Sequence, residues 1–136
     1  MKIEIFDYGY EIMPTRAHRK DAGLDIYAIK PVIIKPGETV PIPVGFGIDV
    51  PNGMMAVMMP RSSLSLKGLL VSQSPIDAGY KGEVHVIMTN ASNIEYGIAP
   101  KTKIAQLVFI PIQMPLLVND YEEIERNLGK FGSTGI

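Results

Sequence analysis

The stretch SPIDAGYKGE, residues 74–83, lies between two apolar runs at residues 68–71 and 84–88. Apolar, β-branched runs on either side of a glycine-containing turn predict a β-hairpin within a buried sheet. Inside the turn, the carboxylate of Asp77 precedes the aromatic hydroxyl of Tyr80 by three residues. We predict that this acid and this ring face one small ligand.

Two glycines in the same stretch, Gly79 and Gly82, let the backbone turn tightly around the acid. Aspartate in a turn often accepts hydrogen bonds from its own backbone, so Asp77 also has a plainer interpretation as a turn cap. The polar residues elsewhere in the chain favour the interpretation as a functional acid.

Length and composition favour a single domain that is small for an enzyme enclosing its substrate alone, so we expect an oligomer. The 136 residues carry 13 basic and 14 acidic side chains, and no overall field attracts duplex DNA or an anionic membrane. Cysteine is absent, which excludes disulfides, thiolate catalysis and Cys-ligated zinc, and suits a reducing cytoplasm. Polar and apolar residues alternate at the N-terminus, so we expect no signal peptide or membrane span and a cytoplasmic protein.

Proline and glycine punctuate the whole chain, with 11 and 13 copies, and the segments between them are rich in Val, Ile and Met. This pattern predicts an all-β fold, a barrel or jelly-roll-like sandwich, with only a short helical turn at residues 63–67. Because proline cannot donate a ladder hydrogen bond, Pro41 and Pro43 predict that their strand is an edge or is bent there. The predicted strands cover residues 2–6, 24–28, 32–34, 39–49, 54–59, 69–72, 83–90 and 104–112.

The sequence pattern changes near residue 119. Residues 120–126 are mostly charged, and residues 127–136 are rich in glycine with one aromatic residue, Phe131. Such a segment cannot form a core of its own, so we predict a β-barrel domain at residues 1–118 and a flexible C-terminal arm at residues 119–136. Arg126, Phe131 and the nearby hydroxyls are either tail residues or the parts of a lid.

Three further stretches carry polar residues suited to chemistry, and each has a plainer interpretation. Asp25 follows a turn glycine, where a surface aspartate is the usual finding. Arg61 and Ser62 precede a helical turn whose free N–H groups could bind an anion, whereas Ser63 could be only a helix N-cap. Gln106 lies in an apolar strand and could simply satisfy a neighbouring loop.

In order and spacing, these stretches resemble the five motifs of the trimeric deoxyuridine triphosphatases, the dUTPase family. The resemblance covers residues 22–135, and five ordered matches are more specific than any one of them. The motifs read AGLDIYA from residue 22, PRSSLSLKG from 60, SPIDAGYKGE from 74, KIAQLVF from 103 and RNLGKFGSTG from 126.

The resemblance implies a distorted jelly-roll β-barrel assembled as a homotrimer, in which each C-terminal arm crosses over to complete a neighbour's active site. It implies an enzyme that hydrolyses dUTP to dUMP and pyrophosphate with Mg²⁺ on the triphosphate. This activity limits uracil incorporation into DNA and supplies dUMP for thymidylate synthesis. The expected partners are dUTP and the other subunits, with no nucleic acid or membrane among them.

The residue chemistry fits this reaction. Asp77 is the acid placed to accept a proton from the attacking water. Arg61, Ser62 and the backbone at Ser63, together with Mg²⁺, can stabilise the negative charge that develops on the phosphates. By resemblance, Gln106 helps to position water and phosphate.

The resemblance also assigns the remaining contacts. Asp25 orients the metal site through water. Tyr80 stacks beneath the deoxyribose and leaves no room for a 2′-hydroxyl, while hairpin backbone groups read the uracil and the arm closes over the nucleotide. The uracil slot comprises Ser74, Pro75 and Ile76; in the arm, Arg126 contacts the γ-phosphate, Phe131 covers the uracil, and Gly132, Ser133 and Thr134 add main-chain and hydroxyl contacts.

Three positions, in two of the motifs, depart from the family pattern. Ser74 and Pro75 stand where the family usually has Gly-Val, and proline removes an N–H from the uracil slot. Lys130 stands where a glycine is common in the last motif.

Two other functions stay open. The related dCTP deaminases share the fold and similar second and third motifs, but their reaction needs a glutamate where this chain has Ile87. Glu83 lies on the same strand face, four residues or roughly 13 Å away, and is interpreted as structural. The second alternative is a trimer without catalysis that serves as a binding or regulatory platform.

Overall fold

The computed structural model describes residues 1–119, which fold into ten β-strands and one short helix. This confirms the all-β prediction. The strands are β1 (Ile5–Asp7), β2 (Gly23–Tyr27), β3 (Val32–Ile34), β4 (Thr39–Ile48), β5 (Met54–Met59), β6 (Leu69–Val71), β7 (Pro75–Ile76), β8 (Glu83–Asn90), β9 (Tyr96–Ile98) and β10 (Lys103–Pro111), and helix α1 (Ser62–Ser65) lies between β5 and β6.

The strands form two four-stranded antiparallel sheets and one two-stranded ribbon. The first sheet has the order β1-β4-β8-β6, the second has the order β2-β10-β5-β7, and the ribbon pairs β3 with β9. From β4 to β8 the chain passes back and forth between the two sheets. This crossing between two packed antiparallel sheets is the jelly-roll arrangement expected from the sequence.

One apolar core joins the two sheets. Along β8 the side chains of Val84, Val86 and Met88 are buried, whereas those of His85 and Ile87 are exposed, as strand alternation requires. The outward face of β8 is therefore available to a surface site. The largest fully buried side chains come from both sheets and the ribbon: Phe46, Ile26, Ile34, Ile42, Met88, Ile104 and Leu107.

In the described residues, strand β4 pairs on one side only where its prolines lie, which confirms the edge alternative of that prediction. Pro41 and Pro43 pair with β8, while β1 pairs only with the later part of β4, from Phe46 onward. The β4–β8 register shifts between Pro43 and Gly47, and within this interval Gly45 has a left-handed φ of +80°. Because one edge of the strand is unpaired at the prolines, their missing N–H groups interrupt no ladder.

Two short strands, β7 and β9, were not predicted. Pro75 opens β7 opposite Val57 of β5, and β9 places Gly97 opposite Ile33 of β3. Proline and glycine both weigh against a strand in a sequence pattern, and here cross-strand pairing outweighs them. The β6–β8 connection is consequently more than a hairpin turn, since it pairs with the second sheet before it returns to the first.

Candidate active site

A cavity of about 210 Å³ opens beside the β6–β8 connection. Six residues of the third motif line it, namely Ser74, Pro75, Ile76, Asp77, Tyr80 and Glu83. Strand β7 fixes the first part of this segment, because Ile76 pairs with Ala56 in the middle of β5. The acid and the ring that the sequence separates by three residues thus share one cavity.

Asp77 is exposed at the cavity wall. Its main-chain carbonyl accepts a hydrogen bond from the N–H of Tyr80 at 3.2 Å, which closes the turn. Within residues 1–119, its carboxylate takes part in no hydrogen bond or ion pair, so nothing here supports the turn-cap interpretation. The side chain is available to a ligand in the cavity.

The ring of Tyr80 is held in place from two sides. Its hydroxyl donates a hydrogen bond to the carbonyl of Glu83 at 2.9 Å. A methyl group built on Gly82 would lie 2.5 Å from that hydroxyl oxygen, so any larger residue requires the ring to shift from this position. Gly79 has a left-handed φ of +91°, which lets the chain reverse between Asp77 and the ring.

Several cavity residues were missed from the sequence. Glu83, His85 and Ile87 project from the outward face of β8 into the lining, and Ser72 joins them from the end of β6. Glu83, interpreted from the sequence as structural, is therefore also part of the cavity wall. The period-two alternation of β8 was the available signal, since it places residues 83, 85 and 87 on one face. The cavity carries an aliphatic side chain at Ile87, where a deaminase needs its glutamate.

A second cluster of predicted residues lies in the other sheet. Gln106 is opposite Asp25 of β2 and opposite Met59 of β5, so it joins both neighbouring strands. Its amide donates a hydrogen bond to the carbonyl of Pro60 at 3.1 Å, directly before Arg61. Asp25, Arg61 and Gln106 are thereby grouped, but none of them lines the Asp77 cavity.

Lys103 completes this second cluster and was not predicted as a site residue. Its ammonium lies 3.3 Å from the Asp25 carboxylate, and its carbonyl accepts a hydrogen bond from the Arg61 guanidinium at 3.2 Å. Lys103 is the first residue of the fourth motif, and its charge was a signal in the sequence that it could belong to the site. The face on which that charge lies depends on the strand register.

Helix α1 begins one residue earlier than predicted. Arg61 is its N-cap residue, no side chain caps the helix, and Ser62 is the first helical residue. The alternative that Ser63 is an N-cap is therefore wrong. Ser62 and Ser63 are both exposed.

The arm residues of the fifth motif lie outside the described residues, and so does most of the predicted arm. These are Arg126, Lys130, Phe131, Gly132, Ser133 and Thr134. Over residues 1–119, no helix is long and apolar enough to cross a membrane. The same part of the chain has no group of three or more His, Asp or Glu side chains placed to hold a metal ion.

A protein-family model described as dUTPase matches residues 10–135. Among curated proteins, the deoxyuridine 5′-triphosphate nucleotidohydrolase of Clostridioides difficile is 40% identical over 129 residues, which cover 91% of this chain and 90% of that protein. The protein of the same name from Clostridium kluyveri is 41% identical over 129 residues, with coverage of 91% and 90%.

Solved structures show the same similarity. A mutant dUTPase from phage phi11 of S. aureus, described with a structural Mg(II) ion, matches with a TM-score of 0.83 at 26% identity and covers 90% of this chain and 99% of its own. A mutant dUTPase of Staphylococcus bacteriophage 80alpha, solved with dUpNHpp, matches with a TM-score of 0.82 at 28% identity over 99% of both chains. The similarity in sequence and in fold extends over nearly the whole chain.

Proposed function

The chain belongs to the dUTPase family, and on that premise we propose that it hydrolyses dUTP to dUMP and pyrophosphate. The observation that carries the proposal is the Asp77 carboxylate, which lines a cavity beside the Tyr80 ring and has no partner within residues 1–119. A general base must be free to reach a water molecule, and the Asp77 side chain meets this requirement. The dUMP that is formed supplies thymidylate synthesis. The removal of dUTP limits the incorporation of uracil into DNA.

The reaction breaks the bond between the α-phosphorus and the oxygen that bridges to the β-phosphate. Asp77 accepts a proton from the water that attacks the α-phosphorus, and pyrophosphate leaves. Arg61, Ser62 and the N–H of Ser63 stabilise the charge that develops on the phosphate oxygens. Gln106 orients water and phosphate with its amide.

In the proposed enzyme each active site is assembled from three chains of a cytoplasmic homotrimer. The separation of the Asp77 cavity from the Asp25–Arg61–Gln106 cluster within one chain supports this proposal, because one reaction needs both sets of groups. The cavity comes from one chain, the cluster from a second, and the arm residues Arg126, Phe131, Gly132, Ser133 and Thr134 from a third.

The residues fit Mg²⁺ that arrives with the triphosphate. Magnesium is commonly held by one or two carboxylates together with substrate phosphates, and not by an all-protein cage. Residues 1–119 offer no cage of three acidic or histidine ligands, whereas Asp25 lies in the cluster that is proposed to bind phosphate. Asp25 would hold the metal through water, and the ion would supply positive charge beside the phosphate oxygens when it is bound.

Two features account for the choice of nucleoside. Tyr80 lies beneath the deoxyribose and excludes a 2′-hydroxyl by shape. Backbone groups at Ser74 and Ile76 read the uracil, while Pro75 contributes no N–H donor. The slot is too tight for the methyl group of thymine.

An assay of pyrophosphate release tests the proposed function. Wild-type protein with Mg²⁺ should release pyrophosphate from dUTP and, under the same conditions, far less from UTP or dCTP. Ammonia release from dCTP would identify a deaminase. No reaction with any nucleotide would favour the alternative of a trimer without catalysis that serves as a binding or regulatory platform. Either of these results contradicts the proposal.

Gly82→Ala should lower the preference for dUTP over UTP about tenfold, the size typical of one misplaced contact in a binding pocket. The added methyl group would lie 2.5 Å from the Tyr80 hydroxyl oxygen, so the ring must move away from the sugar. The measurement is kcat/KM for both nucleotides. Gly97→Ala is the matched control, because nothing beyond its own chain neighbours lies within 4 Å of its added methyl group, and it should keep the wild-type ratio. A wild-type ratio in Gly82→Ala would contradict the role of the ring.

A further inference from the structure

Strand β10 contains a β-bulge beside the Asp25–Arg61–Gln106 cluster. The register with β2 places Gln106 opposite Asp25 and Ala105 opposite Ile26, and then shifts so that Lys103 is opposite Tyr27. Ile104 and Ala105 are both wholly buried, which breaks the alternation of the strand at this point. A bulge is known to redirect side chains in this way next to active sites.

The bulge decides the face on which Lys103 lies. Two residues three positions apart on a regular strand point to opposite faces of a sheet. Because of the extra residue, Lys103 and Gln106 both lie on the face of Asp25. The charge of Lys103 is thereby brought to the phosphate-binding cluster instead of to the opposite face.

Lys103 then contacts two of the proposed site residues at once. Its ammonium is 3.3 Å from the Asp25 carboxylate, and the exposed fractions of the two side chains are 42% and 20%. Its carbonyl accepts a hydrogen bond from the Arg61 guanidinium at 3.2 Å, a contact that is partly buried. Among residues 1–119, Lys103 is the cation that forms an ion pair with this carboxylate. A partly buried pair is less screened by salt than a surface pair, so the pairing persists at ordinary ionic strength.

We propose that Lys103 is a positioning residue of the active site, which holds the Asp25 carboxylate so that the Arg61 guanidinium stays available to the substrate phosphates. The inference rests on the proposed function. Without the ammonium, the Asp25 carboxylate loses its ion pair, while the Arg61 guanidinium stays bonded to the main-chain carbonyl of residue 103 and becomes the cation that the carboxylate can recruit. The two then pair, and Arg61 is withdrawn from phosphate binding.

Binding of dUpNHpp tests this role, measured by calorimetry in EDTA so that no metal contributes. Lys103→Met should raise the Kd about tenfold, whereas Lys103→Arg, which keeps the cation, should stay within about twofold of wild type. In an Asp25→Asn background, the Lys103→Met change should alter the Kd by less than about twofold, because the competing carboxylate is gone. The control is Lys101→Met, which removes an exposed lysine two residues away and should leave the Kd at the wild-type value.

Thermal unfolding of each variant separates positioning from folding, and the expected melting temperatures are close to that of wild type. An equal loss of affinity from Lys103→Met in both backgrounds would show a direct phosphate contact and overturn the positioning role. An unchanged Kd in Lys103→Met would also overturn it, and would leave the proposed function intact. Failure of the wild type both to bind dUpNHpp and to hydrolyse dUTP would overturn the proposed function, and the role of Lys103 with it.

Discussion

Asp77→Asn should lower kcat for dUTP hydrolysis by about 10³-fold or more, within the range that general-base catalysis contributes. Asparagine keeps the shape of the side chain but cannot accept the proton of the attacking water. The affinity for dUpNHpp should stay within about threefold of wild type, since the role assigned to this side chain is basicity and not contact energy. Single-turnover rates and calorimetry provide the two measurements.

Glu83→Gln is the sharpest comparison for this variant, because Glu83 is the other carboxylate of the cavity wall. It should lower kcat by less than about tenfold, as expected for a residue outside the proton transfer. A larger loss in Glu83→Gln than in Asp77→Asn would move the general base from one carboxylate to the other. Normal turnover by Asp77→Asn would refute the assignment outright.

Deletion of residues 127–136 should lower kcat/KM for dUTP by about 100-fold or more, because a lid excludes water and completes the site. The deletion removes Phe131, Gly132, Ser133 and Thr134, which are proposed to close over the nucleotide. The oligomer and the melting temperature should be unchanged, since the buried apolar core of the described residues lies between Ile26 and Leu107.

Deletion of Ile136 alone is the matched control, because this residue follows the last motif, and its removal should leave activity near that of wild type. Light scattering coupled to size-exclusion chromatography reports the assembly of both variants. Full activity after the longer deletion would contradict the lid. Dissociation into unfolded monomers would show instead that the arm has a structural role.

Sequence and structure agree where a feature depends on neighbours along the chain. β8 has the predicted bounds, Glu83–Asn90, because its alternation of apolar and polar residues is local. The free edge of β4 at Pro41 and Pro43 follows equally directly from those prolines. β7 and β9 escaped prediction because their pairing partners, β5 and β3, lie far away in the sequence and outweigh an unfavourable local composition.

The sequence by itself determined the all-β class, the family and the Asp77–Tyr80 turn. The turn could be recognised because its three-residue spacing and its glycines are local and need no distant partner. Only the tertiary structure decided that Arg61 and Gln106 lie apart from the Asp77 cavity and that Lys103 shares a face with Asp25. The physical reason is register: side chains alternate with period two along a strand, so one extra residue at the β10 bulge reverses the face of every residue before it.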